Sequence, residues 1–275
     1  MAVPLPAAAP GVVTPLLALE NVEVVYHRVA TAIQSVSLQV PERGLVALLG
    51  TNGAGKTTTL RAISGFLGAD DAAIVAGRVV FLGETLNGRR PHEVARRGVV
   101  LVPERDKVFE TLTVQENLKA LVPGRGREGL DLERVLHYFP VLADRRRQLA
   151  GYLSGGERQM LALASALLCR PRVLLVDELS FGLAPLIVEN LMDLVRRLRD
   201  ELGIAVVLVE QNAGAALGIA DYGYVMEHGR IVYDGPRERL LAHEDVREFY
   251  LGLGGGADRR SYIDVKQYRR RRRWF

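Results

Sequence analysis

The clearest chemical signal in this sequence is a glycine-rich run that ends in lysine and threonine. Residues 50–57 read GTNGAGKT, between an apolar stretch at Leu45–Leu49 and a helix-compatible run at 57–66. This is the GxxxxGK[ST] pattern in its strand, loop and helix context. Glycines let successive backbone amides face phosphate oxygens, and the start of the helix adds a partial positive charge.

The chemistry of this run predicts a site for nucleotide phosphates. Lys56 can reach the β- and γ-phosphates, and the hydroxyl of Thr57 can bind Mg²⁺. A glycine-rich turn with a solvated lysine is the alternative, and the flanking elements disfavour it. The predicted contacts are made by Gly50, Thr51, Asn52, Gly53, Ala54, Gly55, Lys56, Thr57 and Thr58.

Two adjacent acids, Asp177 and Glu178, end a second apolar run at residues 173–176. We interpret Asp177 as a direct or indirect Mg²⁺ contact, and Glu178 as the base that orients and activates an attacking water. Taken alone, the pair would be read as exposed carboxylates at a strand end. The phosphate loop elsewhere in the chain makes the catalytic interpretation the stronger one.

A third motif, LSGGE at residues 153–157, precedes a helix pattern that runs to about residue 169. Ser154 and Glu157 have the spacing of a capping box, which is expected as local structure. That box does not explain Gly155 and Gly156, whose backbone amides could face outward. We predict a second phosphate-binding surface at this helix start, and two half-sites in one chain suggest that two chains pair head to tail.

The patterns around these motifs predict the elements that position them. Residues 16–26 and 33–40 alternate apolar and polar side chains, as half-buried antiparallel strands do. Continuous apolar runs begin at residues 45, 99, 173 and 205, as in a parallel sheet covered by helices. Helix patterns fill residues 185–202, and they dominate 110–170 with little strand signal. We expect an α/β parallel-sheet core, an antiparallel β-layer and an inserted α-helical subdomain at about 110–170.

Composition excludes several classes of protein. The chain has 275 residues, 48% of them hydrophobic and 25% charged, so it can bury a full core. The sequence has a single cysteine, Cys169, and five histidines with neither i, i+4 spacing nor an HExxH motif, which argues against a metal catalyst. The most apolar long stretch, 160–169, is short of the ~20 residues that a spanning helix needs.

The charge is concentrated at the carboxyl end. The net charge is +4, whereas residues 259–275 alone carry +7, so residues 1–258 carry −3. An acidic body argues against nucleic acid as a partner. We predict a disordered leader at 1–15, one domain at 16–252, and a glycine linker with a basic tail at 253–275. The tail has two interpretations, contact with anionic lipid or a solvated charge run.

In the order GTNGAGKT, LSGGE, LLVDE, the chain resembles the ATP-binding cassette (ABC) ATPases over about residues 16–252. The resemblance implies a P-loop NTPase fold of the RecA-like type. It also implies a dimer with two ATP molecules, each bound between the phosphate loop of one subunit and Ser154, Gly155 and Gly156 of the other. An aromatic residue near the first strand would stack on adenine. Tyr26 occupies that place, and an ordinary strand-end tyrosine is the alternative.

Two positions depart from the general family pattern. The usual glutamine contact to Mg²⁺ and water is matched by Glu104, and the usual γ-phosphate histidine by Gln211. Glu104 can bind Mg²⁺ but repels phosphate, and Gln211 can donate a hydrogen bond but carries no charge. With PERDKVF, GLAP and VEQNA, these residues resemble the branched-chain amino acid branch of bacterial importer ATPases. Gly182 and Leu183 would then lie in the loop that touches the opposite subunit.

The resemblance also implies partners and a location. It implies membrane permease subunits, a second ATPase subunit and, indirectly, a solute-binding protein, with this chain peripheral to the cytoplasmic face of the cell membrane. We expect permease contact near residues 104–116. A cassette ATPase without a transport role, or an ATP-sensing regulator with weak hydrolysis, is the alternative. Slow turnover through Glu104 and Gln211 would favour the regulator.

Overall fold

The computed structural model describes residues 15–105, 107–120, 131–244 and 246. The predicted linker and basic tail at 253–275, the domain end at 252, and the leader apart from its last residue lie outside the described residues. In chain order the elements are β1 (Leu17–Tyr26), β2 (Ala30–Val40), β3 (Leu45–Leu49), α1 (Lys56–Ser64), β4 (Ala72–Phe81), β5 (Glu84–Thr85), α2 (Pro91–Arg97), β6 (Val99–Val102), α3 (Val114–Ala120), α4 (Leu132–Tyr138), α5 (Pro140–Asp144), α6 (Gly155–Leu168), β7 (Val173–Asp177), α7 (Pro185–Leu202), β8 (Ala205–Glu210), α8 (Ala213–Ile219), β9 (Tyr222–Glu227), β10 (Arg230–Pro236) and α9 (Arg237–Ala242).

The strands form two sheets. Within the described residues the larger sheet has the order β10-β9-β3-β8-β7-β6, and its pairs from β9 to β6 are parallel. The smaller sheet has the order β2-β1-β4-β5 with antiparallel pairing. The predicted α/β core with an antiparallel layer is therefore confirmed. The pattern reading did not include β4, β5, β9 or β10.

Strand β3 shows why its sequence is continuously apolar. All five of its residues are buried. Leu45, Ala47 and Leu49 belong to the core shared with helices α3 to α8, whereas Val46 and Leu48 belong to the core beneath the smaller sheet. A strand with apolar partners on both faces has no side that favours polar residues.

The helices agree with the periodicity where the pattern is long. The predicted helix at 185–202 is α7, which begins with Pro185 at its first turn and buries five side chains, those of Val188, Leu191, Met192, Val195 and Leu198. Between residues 110 and 170, α3, α4, α5 and α6 contribute to one apolar core with the larger sheet. The bounds of a separate subdomain there stay a prediction. Within the described residues, no helix is both long and apolar enough to cross a membrane.

Candidate nucleotide-binding site

The loop between β3 and α1 owes its shape to glycines. A Cβ on Gly50 would lie 2.5 Å from the carbonyl oxygen of Met226, so only glycine fits where the loop passes β9. Gly55 has a left-handed φ of 105° at the N-cap of α1. Glycine adopts that φ at little cost, and it lets the chain turn directly into the helix.

Lys56 is the buried cation of this loop. Its side chain is 5% exposed and its Nζ donates hydrogen bonds to the carbonyl oxygens of Gly50 and Thr51, at 2.8 and 3.1 Å. The same Nζ lies 3.1 Å from Oε1 of Glu178. The predicted phosphate-binding lysine and the predicted base are therefore an ion pair.

The end of β7 supplies the acids that face the loop. The hydroxyl of Thr57 donates to Oδ1 of Asp177 at 3.3 Å. Burial raises the pKa of Asp177 to about 6, although the hydrogen bond from Thr57 opposes the shift. Glu178 follows with a left-handed φ of 49°, which is rare for a residue with a side chain and turns the backbone sharply at the strand end.

These donors fit a magnesium ion. Mg²⁺ prefers hard oxygen ligands and binds proteins through one or two carboxylates together with substrate phosphates. Thr57 and Asp177 present a hydroxyl and a carboxylate in contact, and the predicted third ligand, Glu104, lines the same cavity. The carboxylate of Glu104 lies 3.2 Å from Nε of Arg105.

Gln211 joins the site through its backbone. Its N–H donates to Oε2 of Glu178 at 3.3 Å, just past the end of β8. Lys56, Glu178 and Gln211 thus meet where β3, β7 and β8 end, as parallel strands with adjacent carboxyl ends predict.

A polar cavity of about 620 Å³ lies in front of the loop. This volume is in the range of small-molecule sites. The predicted residues that line it are Asn52, Gly53, Ala54, Gly55, Lys56, Thr57, Thr58, Glu104 and Glu178. Gly50, Thr51, Asp177 and Gln211 contact these residues directly.

Other lining residues were missed by sequence reasoning: Thr31, Ala32, Arg105, Phe181, His228 and Gly229. The turn between β9 and β10 reaches the loop because the N–H of Gly229 donates to the carbonyl of Ala54 at 2.9 Å. A Cβ on Gly229 would lie 2.4 Å from the carbonyl oxygen of Ala32. The glycine after His228 was a visible signal for this turn, but no local pattern placed it against the loop.

Tyr26 lies beside the loop at the end of β1. Its hydroxyl is 3.3 Å from the hydroxyl of Thr58, so it contacts a residue that lines the cavity. Tyr26 itself is not among the lining residues. Its stacking on adenine stays a prediction.

The predicted second phosphate surface lies apart from this cavity. Ser154, Gly155 and Gly156 are absent from the described lining residues. The capping box is present: Ser154 Oγ accepts from the N–H of Glu157 at 3.3 Å, and Ser154 N–H donates to Oε2 of Glu157 at 2.8 Å. The structure also gives both glycines a packing role. A Cβ on Gly156 would lie 2.7 Å from Cγ2 of Ile187 in α7, and one on Gly155 would lie 3.0 Å from Cδ2 of Leu183.

A buried acid next to Gln211 was also missed. Glu210 is fully buried, and both of its oxygens accept hydrogen bonds from Ser180. Burial raises the pKa of Glu210 to about 7. Glu210 is the acid that ends the apolar strand β8, and this position was a sequence signal for a buried acid. Its partner could not be inferred, because Ser180 is 30 residues earlier and shares no motif with it.

A phosphate loop that contacts strand-end acids beside a polar cavity defines a P-loop nucleotide-binding protein. The family model described as ABC transporter matches residues 33–180, which include the phosphate loop, the LSGGE motif and the acid pair. The chain belongs to the ABC transporter family, and this segment is its ATPase domain.

Relatives with curated descriptions agree with this assignment. The high-affinity branched-chain amino acid transport ATP-binding protein BraG of Pseudomonas aeruginosa is 40% identical over 86% of this chain and 100% of its own length. The probable branched-chain amino acid transport ATP-binding protein LivF of Archaeoglobus fulgidus is 36% identical over 79% of this chain and 91% of its own length. The crystal structure of the ADP conformation of MJ1267, an ATP-binding cassette of an ABC transporter, has a TM-score of 0.74 at 26% identity, covering 87% of this chain and 99% of that one.

Proposed function

We propose that this chain is the ATP-hydrolysing subunit of a membrane importer for branched-chain amino acids or a related small polar solute. The similarity to BraG supports this substrate class, since it extends over the full length of that protein at 40% identity. The observation that carries the enzymatic part is the meeting of Lys56, Glu178 and Gln211 at one edge of the larger sheet.

The catalytic roles follow from charge and position. Lys56 holds the terminal phosphates of ATP, because its buried ammonium lies at the base of the glycine loop. Glu178 accepts a proton from the attacking water, since its carboxylate lines the cavity beside that ammonium. Gln211 keeps Glu178 oriented through its N–H and can donate its side-chain amide to a phosphate oxygen.

Thr57, Asp177 and Glu104 are the residues that would hold Mg²⁺. When bound, the ion would offset the negative charge of the terminal phosphates. The hydroxyl of Thr57 donates a hydrogen bond to the carboxylate of Asp177, which holds these two oxygen groups next to each other.

We infer that the working unit contains two ATPase subunits. The cavity accounts for one side of a nucleotide, whereas Ser154, Gly155 and Gly156 lie outside it. A second copy or a close relative would present these residues to the γ-phosphate from the opposite side. Tyr26 would stack on the adenine at the outer end of the loop.

A membrane permease is the partner that we infer for an apolar groove of about 440 Å³ between α2, β6 and α6. Phe66 and Phe109 line the groove and are 42% and 53% exposed, although exposed aromatic side chains are uncommon without a partner. Lys107 and Phe109 fall within the predicted contact region at 104–116. The chain would thus act at the cytoplasmic face of the membrane, and a solute-binding protein would take part through the permease.

The test is reconstitution in proteoliposomes with candidate permease and solute-binding subunits. We expect leucine uptake that requires ATP and disappears with Glu178→Gln. ATP hydrolysis without uptake or permease association would favour a non-transport ATPase. ATP binding without hydrolysis in the full assembly would favour a sensing regulator. Either result contradicts the proposal.

A further inference from the structure

Glu210 is a buried carboxylate that the proposed chemistry leaves without a task. Its exposed fraction is 0%. Oε1 accepts from the N–H of Ser180 at 2.9 Å, and Oε2 accepts from the hydroxyl of Ser180 at 2.5 Å. Both oxygens therefore accept hydrogen bonds from Ser180, in the loop that follows β7, and the backbone of the neighbouring Leu179 also bonds to this carboxylate.

The surroundings of Glu210 make its charged form unfavourable for the stability of the fold. Among the described residues, none of the ion pairs includes Glu210. Burial raises its pKa to about 7, and the nearby charge of Glu178 adds to the shift. A buried acid without a cation destabilises a fold unless its hydrogen bonds compensate. Its position therefore calls for a role that an apolar side chain could not fill.

The loop that Glu210 holds separates two cavities. Glu178 and Phe181 line the nucleotide cavity, whereas Ser180 and Leu183 line a second cavity of about 560 Å³ between α7 and α8. A rotation of the loop would move Glu178 and Phe181 together. Because Ser180 lies between Glu178 and Phe181 in the chain, a displacement of Ser180 is expected to alter the position of both.

The loop has little internal support. Its backbone hydrogen bonds are long, 3.5 Å from Phe181 N to the Glu178 carbonyl and 3.3 Å from Leu183 N to the Ser180 carbonyl. Gly182 has a left-handed φ of 72°. The two short bonds from Ser180 to Glu210 are stronger than either backbone contact.

Glu210 is followed by Gln211, whose N–H donates a hydrogen bond to Oε2 of Glu178, the predicted base. The other oxygen of Glu178, Oε1, contacts Lys56. One residue of β8 therefore anchors the loop after Glu178, and the next residue anchors the Glu178 carboxylate itself. A shift of this strand end would alter both contacts at once.

We propose that Glu210 is a positioning residue for ATP hydrolysis, which fixes Ser180 and thereby holds Glu178 in its hydrolytic orientation. This inference rests on the proposed function, since it assigns Glu210 to the same site. Glu210 does not touch the nucleotide cavity, so it acts through Ser180 and Glu178.

The experiment compares Glu210→Ala, Glu210→Gln and Ser180→Ala in the reconstituted assembly. We expect Glu210→Ala and Ser180→Ala each to lower kcat about tenfold with little change in the KM for ATP, and the double variant to lose no more than the worse single one. Glu210→Gln should stay within about twofold of wild type, because its amide oxygen can accept from Ser180 N–H and its NH₂ can donate to the hydroxyl.

A matched control separates positioning from general loss of stability. Val135→Ala removes a fully buried side chain from α4 and should lower the melting temperature while kcat is kept. Equal loss of kcat in Val135→Ala, unchanged kcat in Glu210→Ala, or a Glu210→Gln as slow as Glu210→Ala would each overturn the role.

Amide hydrogen exchange of the isolated chain provides a readout that does not depend on turnover. Without added nucleotide, exchange of the segment 179–183 should rise about tenfold in Glu210→Ala and return to the wild-type rate in Glu210→Gln. Unchanged exchange would overturn the anchoring. A wild-type assembly that does not hydrolyse ATP would contradict the proposed function instead, while exchange would still show whether Glu210 holds the loop.

Discussion

The N-termini of α1 and α6 are both rich in glycine, but they differ in whether a side chain caps the first turn of the helix. Each follows or contains paired glycines, and each was predicted to bind phosphate. The N-cap of α1 is Gly55, and among the described residues no side chain caps it. The start of α6 has a complete capping box between Ser154 and Glu157, and Arg145 lies 2.9 Å from the Glu157 carboxylate.

This difference has a physical meaning. The first amides of a helix need partners, and an end without a side-chain cap offers them to an anion. At the start of α1 these amides lie beside a buried ammonium, nearby carboxylates and a cavity. At the start of α6 the capping box provides a hydrogen-bond partner for one of the first amides, and both glycines pack against α7 and the loop before it. We therefore expect the start of α6 to complete a nucleotide site on another subunit rather than to form a site by itself.

The largest effect is expected on the α1 side. Glu178→Gln removes the charge of the proposed base, so turnover should fall about 100-fold or more while ATP binding is kept or strengthened, because Lys56 loses a competing partner. Steady-state ATP hydrolysis and equilibrium nucleotide binding measure the two quantities. Hydrolysis at the wild-type rate would remove Glu178 from the role of base.

A smaller effect is expected on the α6 side. Ser154→Ala should lower turnover about tenfold in the assembled dimer and leave ATP affinity of the isolated chain unchanged. The variant also loses a helix cap, at about 1 kcal/mol. Asp131→Ala is the matched control, because Asp131 caps α4 by accepting from Arg134 N at 2.7 Å. If both variants slow turnover equally, Ser154 is only a cap and the comparison fails.

Glu210, the buried acid at the end of β8, predicts that stability depends on pH. The pKa of Glu210 is raised from its ordinary value of 4.5 to about 7 by burial, so between these pH values the folded state keeps a proton that the unfolded chain has released. Wild-type stability therefore falls as pH rises through this window, by roughly 3 kcal/mol in total. Glu210→Gln escapes this loss.

Urea unfolding of wild type and Glu210→Gln at pH 5 and pH 8 measures this difference. The stability advantage of the variant should be larger at pH 8, and Asp177 does not interfere because both proteins contain it. An advantage that is constant with pH would mean that Glu210 titrates normally.

The smallest effect concerns the glycine packing at α6. Gly156→Ala should destabilise the fold by about 1 kcal/mol or more, because its Cβ would lie 2.7 Å from Ile187. Gly218→Ala in α8 is the matched control, since nothing lies within 4 Å of its Cβ, and it should stabilise the fold by about 0.5–1 kcal/mol. Thermal unfolding of both decides. If both substitutions stabilise the fold, packing against Ile187 does not require glycine at position 156, and phosphate binding remains the explanation for Gly156.

The sequence predicted those parts of the site whose residues are contiguous. The phosphate loop and the acid pair are local patterns at the ends of apolar strands, and β3 and β7 place them where expected. The same holds for α7, whose eighteen residues give a long periodic signal.

The missed parts depend on contacts across the chain. Ser180 and Glu210 meet only because β7 and β8 are neighbours, and a pattern read along one segment cannot show this. His228 lines the cavity because β9 pairs with β3, and the pattern reading had not included β9. Sequence patterns assign the glycines of α6 to phosphate binding alone, since Ile187 and Leu183, which lie against them, are distant in sequence.

The ammonium of Lys56 forms an ion pair with Glu178, and the same ammonium is the predicted contact of the terminal phosphate. A terminal phosphate that seats in the loop competes with the carboxylate for one ammonium. In the proposed mechanism the phosphate would replace Glu178 as the partner of Lys56, and the Glu178 carboxylate would then be free to accept a proton from water. Nucleotide binding and activation of the base would then be coupled through one ammonium group, so that Glu178 would become an active base only after ATP is bound.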